Sequence, residues 1–156
     1  METVYIETTI VSYLVGRPSR DLLLAAHQEL TREWWAGERL RYECVTSAEV
    51  LREASLGEAE MVKRRLDALS TLTVLEVSAA ALDLTRAILR DRLLPTAAVG
   101  DATHVAVGSL HAVDYLLTWN CRHLANPHIQ RNLRRFVAQR GLVLPEICTL
   151  IELSGQ

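Results

Sequence analysis

The stretch Val99-Gly100-Asp101-Ala102-Thr103-His104-Val105-Ala106-Val107-Gly108-Ser109-Leu110-His111-Ala112-Val113-Asp114-Tyr115-Leu116-Leu117-Thr118-Trp119-Asn120 decides how the chain folds. Ala102, Val105, Ala106, Ser109, Leu110 and Val113 recur at the spacing of one helix face. Tyr115–Trp119 follows and is nearly all apolar. A strand apolar on both sides is buried on both sides, as in a parallel sheet covered by helices. A helix feeding such a strand belongs to a βα repeat.

The flanks continue that alternation. Val4-Tyr5-Ile6, Leu40–Val45 and Leu72–Val77 read as three further strands, and Leu142–Leu144 before Pro145 as an edge strand. Between them the spacing predicts six further helices. One covers Thr8–Leu14 and is closed by Gly16-Arg17-Pro18. The next runs from a Ser19 cap to Trp35, with Leu22, Leu23, Ala26, Leu30 and Trp34 inward. A third starts at Thr46 or Ser47 and stops near Gly57. A fourth begins at Glu58 with Val62, Leu66 and Leu69 inward. A fifth starts at Ser78 with Leu82, Leu89 and Leu93 inward and is closed by Pro95. The last runs from Pro127 to Gly141, with Ile129, Leu133, Phe136 and Val137 inward. This alternation gives an α/β fold: a parallel sheet with helices on both faces.

A length of 156 residues suits one domain, 1–156, and 49% hydrophobic with 23% charged residues excludes disorder. A net charge of −2 excludes a generic polycation that coats nucleic acid. Cys44, Cys121 and Cys148 are odd in number, far apart and without a CxxC pair, so neither a zinc site nor a disulfide framework is expected. They read as buried or half-buried thiols in a reducing compartment. With no leader-like N-terminus and no run of about 20 apolar residues, the expectation is a cytoplasmic protein with no membrane partner. There is no Gly-rich phosphate loop, GxSxG, HExxH or EF-hand pattern.

Open α/β sheets bind ligands beyond the carboxyl ends of their strands. Glu7 follows the first strand, Glu49 comes soon after the second, Asp101 opens the helix before the fourth, and Asn120 follows the fourth. Three carboxylates and an amide form an oxygen-rich, sulfur-free set that suits Mg²⁺ or Mn²⁺. Each also has a plainer explanation. Thr46-x-x-Glu49 is a capping-box pattern, Asp101 is a good N-cap, and Asn120 can cap Cys121–Ala125. Glu7 is neither a favoured cap nor a turn former. His104, three residues after Asp101, shares its helix face and either reaches a phosphate or metal-bound water or caps the surface. Thr8, Thr9 and Ser12 offer hydroxyls beside Glu7. Arg131, Arg134 and Arg135, with Arg122, His123 and His128, form either a local basic patch or an ordinary solvated face.

The order Tyr5-Ile6-Glu7-Thr8-Thr9, Ser47-Ala48-Glu49-Val50-Leu51-Arg52-Glu53, Gly100-Asp101-Ala102-Thr103-His104, Leu116-Leu117-Thr118-Trp119-Asn120 resembles PIN-domain proteins, specifically VapC-like toxins of toxin–antitoxin pairs. The resemblance implies a three-layer α/β/α sandwich around a parallel sheet of about five strands. It implies an Mg²⁺- or Mn²⁺-dependent endoribonuclease, a homodimer, and a cognate antitoxin partner. It implies that Glu7, Glu49 and Asp101 hold the metal, that Asn120 completes a catalytic quartet, and that Thr8, Ser12, His104 and Thr118 assist. The first and last positions are usually Asp in that family, and this chain has Glu7 and Asn120 there. The alternative function is a PIN domain without catalysis that binds RNA or protein. A receiver-like domain ranks below both, because no strand ends in Asp.

Overall fold

The computed structural model describes residues 1–154. Five parallel strands form one sheet: β1 (Thr3–Ile6), β2 (Glu43–Ser47), β3 (Thr73–Leu75), β4 (Tyr115–Leu117) and β5 (Glu146–Cys148), in the order β3-β2-β1-β4-β5. Tyr5 is in register with Val45 on one side and Leu116 on the other. Val4, Tyr5, Ile6, Leu116 and Leu117 are fully buried, which explains their unbroken apolar character.

The helices are α1 (Thr8–Val15), α2 (Leu22–Ala36), α3 (Ala48–Ala54), α4 (Ala59–Leu69), α5 (Ala79–Arg90), α6 (Val99–Leu110), α7 (Pro127–Ala138) and α8 (Leu150–Leu153). The chain steps one way from β1 to β3, then jumps back across β1 to β4 and β5. Right-handed crossovers therefore put α1–α4 on one face and α5–α7 on the other. The packing agrees: α1 lies against α2, α3 and α4, and α5 against α6. This is the α/β/α sandwich, and the reversal of direction falls between β1 and β4.

Several boundaries differ from the sequence expectation. β2 begins at Glu43 because Gly37–Tyr42 closes a 3-10 turn, with Leu40 N–H bonded to Gly37 and Tyr42 N–H to Arg39. Asp21, not Ser19, caps α2: its Oδ1 accepts from Leu24 N–H at 2.9 Å, while Ser19 Oγ accepts from Asp21 N–H. Leu22, Leu23 and Ala26 are consequently exposed. Leu82 is also exposed, since α5 buries Ala81, Leu84, Thr85 and Ile88 instead. The edge strand lies after Pro145, because Leu142 N–H still closes α7 on Val137 C=O around Gly141 at φ 74°.

The thiols do not all match expectation either. Cys148 is buried and Cys44 half-buried, but Cys121 is exposed. Burial pushes the Cys44 thiol up to about 11 and the Cys148 thiol up to about 12. Only the thiolate reacts, so Ellman's reagent at neutral pH should modify one thiol per native chain and three after denaturation. Fast modification of more than one in the native protein would contradict this packing.

Candidate active site

The direction of a doubly wound sheet reverses where its two halves leave a crevice. Here that crevice opens beyond β1 and β4, and both strands run straight into polar residues. Glu7 N–H still bonds Leu117 C=O at 3.2 Å, and Thr118 N–H bonds Cys148 C=O at 3.0 Å, so the sheet's ladder holds both ends rigidly.

Glu7 is 3% exposed. Contrary to its poor capping preference, it is the N-cap of α1. Its Oε2 accepts from Thr9 N–H at 2.7 Å, from the Thr9 hydroxyl, and from the Thr118 hydroxyl at 3.2 Å. Burial raises its pKa, and nearby Glu53 adds to this; the His104 charge and the Thr9 bonds oppose them. Thr118 Oγ1 also accepts from Asn120 N–H at 2.9 Å, tying the ends of β1 and β4 together. Ser12 takes no side-chain bond in this network among the described residues.

The α3 helix starts from Ser47, whose hydroxyl accepts from Val50 N–H at 3.3 Å. The Thr46–Glu49 capping box does not form, because Thr46 Oγ1 turns to Ile6 C=O at 3.2 Å. Glu49 is instead gripped by the Arg52 guanidinium through both oxygens, at 2.6 and 2.9 Å. One turn on, Glu53 Oε1 accepts from the Thr8 hydroxyl at 2.6 Å and lies 2.6 Å from His104 Nε2. Burial would raise the Glu53 pKa, but the His104 hydrogen bond and charge with Thr8 and Arg52 win, holding it below the usual carboxylate value.

Asp101 is the third residue of α6, not its cap; Ala98 holds the cap position. Its Oδ2 accepts from Asn120 Nδ2 at 3.2 Å and lies 3.1 Å from His123 Nδ1. Asn120 Oδ1 accepts from the backbone N–H groups of Arg122 and His123 at 3.2 and 3.0 Å. The amide thus caps the following turn with its oxygen and presents its N–H side to Asp101. His104 is fully buried, so it meets neither phosphate nor bulk water. Its ring nitrogens are taken by Tyr5 Oη at 2.7 Å and by Glu53. Burial would lower its pKa, but Glu53, Glu7 and Asp101 outweigh that and raise it.

Glu7, Glu53 and Asp101 come from three elements and act on one histidine, Glu53 by direct contact and the other two through their charge. Glu53 is the member that the sequence reading left out of the site. Its signal was present: it lies four residues after Glu49, on the same helix face. Arg122 is exposed and His123 half-buried at the rim, while Arg131, Arg134 and Arg135 are exposed along α7. Arg134 pairs with Glu146 at 3.4 Å. Beside the crevice, Trp119 stacks on His27 at 4.2 Å and on Tyr13 at 5.8 Å.

Among the described residues, no three His, Cys, Asp or Glu side chains close up into a metal cage. The donor set nevertheless fits an oxygen-seeking ion. Glu7 Oε1, Glu53 Oε2 and Asp101 Oδ1 receive no hydrogen bond among the described residues, while the other oxygen of each is anchored. Anchored carboxylates with one free oxygen are what ligand-orienting partners provide. Mg²⁺ commonly takes one or two carboxylates, with water and substrate phosphate completing its shell.

No family model matches the sequence, and no curated protein does. Solved structures do. A toxin–antitoxin complex from Klebsiella pneumoniae has a chain with a TM-score of 0.55 and 20% identity, covering 76% of this chain and 88% of that one. The crystal structure of VapBC2 from Rickettsia felis, bound to a DNA fragment from their promoter, has one with a TM-score of 0.54 and 16% identity, covering 94% and 98%. At these identities the likeness is one of fold: those chains share the α/β architecture built on the five-stranded parallel sheet.

Proposed function

We propose that this chain, with its VapC-like PIN fold, is the toxin of a toxin–antitoxin pair and acts as a metal-dependent endoribonuclease. One observation carries the reading. Glu7, Glu53 and Asp101 all act on the charge of buried His104 beside the β1–β4 switch point, and each keeps one oxygen free of hydrogen bonds among the described residues. With Glu49 and Asn120 at their margin, they would hold Mg²⁺ or Mn²⁺. Such an ion, when bound, lowers the pKa of water and offsets charge developing at phosphorus. The chain's own residues do the rest. Thr9 and Thr118 aim Glu7, His123 and Asn120 aim Asp101, and Thr8 aims Glu53. Arg122, His123, Arg131, Arg134 and Arg135 offer positive charge to the RNA backbone. A cognate antitoxin protein and a second copy of the chain are the proposed partners. No helix among the described residues is long and apolar enough to cross a membrane.

A specific observation favours the binding-module alternative. Glu49 is paired with Arg52, Glu53 with His104, and Asp101 with His123 and Asn120, so the cluster holds together without a cation. Calorimetric titration of Mn²⁺ and Mg²⁺, with the same samples incubated on a mixed RNA pool, separates the two readings. The nuclease binds an ion and cuts only in its presence; the module does neither and binds RNA in a salt-sensitive way. Asn120→Asp adds a charge beside Asp101 and should tighten ion binding by roughly tenfold. Unchanged affinity would place residue 120 outside the ion's reach.

A further inference from the structure

The oxygens of Glu53 are unequal. Oε1 takes both the Thr8 hydroxyl and the His104 ring, and Oε2 takes neither. Oε2 lies against Gly100, where an added Cβ would stand 2.6 Å from it and 3.5 Å from Glu49 Oε1. Any side chain at position 100 would therefore displace the free oxygen. On the other side of His104, its Nδ1 meets Tyr5 Oη at 2.7 Å, and Tyr5 Oη meets Ser47 Oγ at 2.6 Å. Burial keeps the Tyr5 phenol protonated.

This chain of bonds joins α1, α3, α6, β1 and β2, and its inner members are completely enclosed. Burying a phenol and an imidazole in a sheet core costs free energy that an apolar pair of similar size would not. The arrangement is nevertheless fully satisfied. A carboxylate only accepts, so His104 Nε2–H donates to Glu53. Tyr5 Oη bonds Nδ1 on one side and Ser47 Oγ on the other. With both nitrogens engaged the ring cannot turn, and its edge stands at 61° to the Tyr5 ring at 5.7 Å.

We infer that His104 is a positioning residue: the Ser47–Tyr5–His104 chain fixes Oε1 of Glu53 and so presents Oε2 to the ion. The inference rests on the nuclease reading above. It assigns His104 a task without contact to RNA, and it makes Tyr5 a part of the site although it lies within a strand. Partners of this kind, one bond behind a ligand, set metal affinity by about 10–100-fold.

The test uses geometry rather than simple loss. A glutamine amide reaches about as far as Nε2 of histidine, and an asparagine amide only about as far as Nδ1. His104→Gln, His104→Asn and Tyr5→Phe are compared with wild type by Mn²⁺ calorimetry, RNA cleavage and thermal melting. The relay predicts that Asn weakens Mn²⁺ binding about 10–100-fold, that Gln retains most of it, and that Tyr5→Phe falls between them. Should Asn fail to fold, Tyr5→Phe against Gln carries the same comparison. Equal Mn²⁺ affinity in all three variants, with melting unchanged, would overturn the relay and leave the nuclease reading intact. Wild-type protein that binds neither Mn²⁺ nor Mg²⁺ would overturn both.

Discussion

Asp101→Asn should lower RNA cleavage by about 10²–10³-fold, the usual cost of removing one group that stabilises charge at a reacting centre. The substitution is nearly isosteric. The new amide oxygen can still accept from Asn120, so the link between α6 and the 120–125 turn survives. The negative charge that would face the ion does not. The loss of an acid from the first turn of α6 costs only about 0.3–1 kcal/mol of stability, since a helix N-terminus favours negative charge by that much. Cleavage assays alongside thermal melts separate the effects. A variant that melts normally and cuts at the wild-type rate would remove Asp101 from the mechanism.

Leu116→Ala should do the opposite: retain the site's chemistry and destabilise what it stands on. Leu116 is fully buried in β4, between β1 and β5. Its Cδ1 would lie 3.8 Å from a Cβ on Gly108, so the bare backbone of α6 passes directly over it. Truncation leaves a cavity between strand and helix that Gly108 cannot fill. The expected cost is about 2–5 kcal/mol. At this chain length that lowers the melting temperature by roughly 4–20 °C. Urea melts measure the free energy directly. A loss below about 1 kcal/mol would mean that α6 settles onto the sheet and closes the gap.

Most of the fold was legible because β1 and β4 are short and nearly all apolar, with a polar residue at each exit. That pattern located Glu7 and Asn120 at the crevice. It failed where a local hydrogen bond overruled composition. Leu142-Val143-Leu144 looks like a strand, yet Leu142 is still closing α7, and Val143 is 79% exposed. Leu40–Tyr42 likewise belongs to a 3-10 turn. The candidate site was legible to the level of which polar residues stand beyond the strand ends, not of which oxygen bonds where. Glu49 and Glu53 are equivalent in sequence and separated only by their neighbours: Arg52 folds back on the first, while Thr8 and His104, 45 and 51 residues away, claim the second. No helical spacing reports that Tyr5 in β1 touches His104 in α6.

The switch point also has a consequence in time. Tyr5 and its partner Leu116 are 111 positions apart (116 − 5), and the site is split in the same way, with Glu7 at one end of that span and Asp101 near the other. At typical rates of synthesis, roughly 5–20 s pass on the ribosome between the appearance of β1 and of β4. Until then β1 lacks its second neighbour, and Glu7 has neither Thr118 to hold it nor Asp101 to work with. A nascent chain halted before residue 101 carries no assembled cluster, so the nuclease proposed above would leave its own messenger uncut for most of its making.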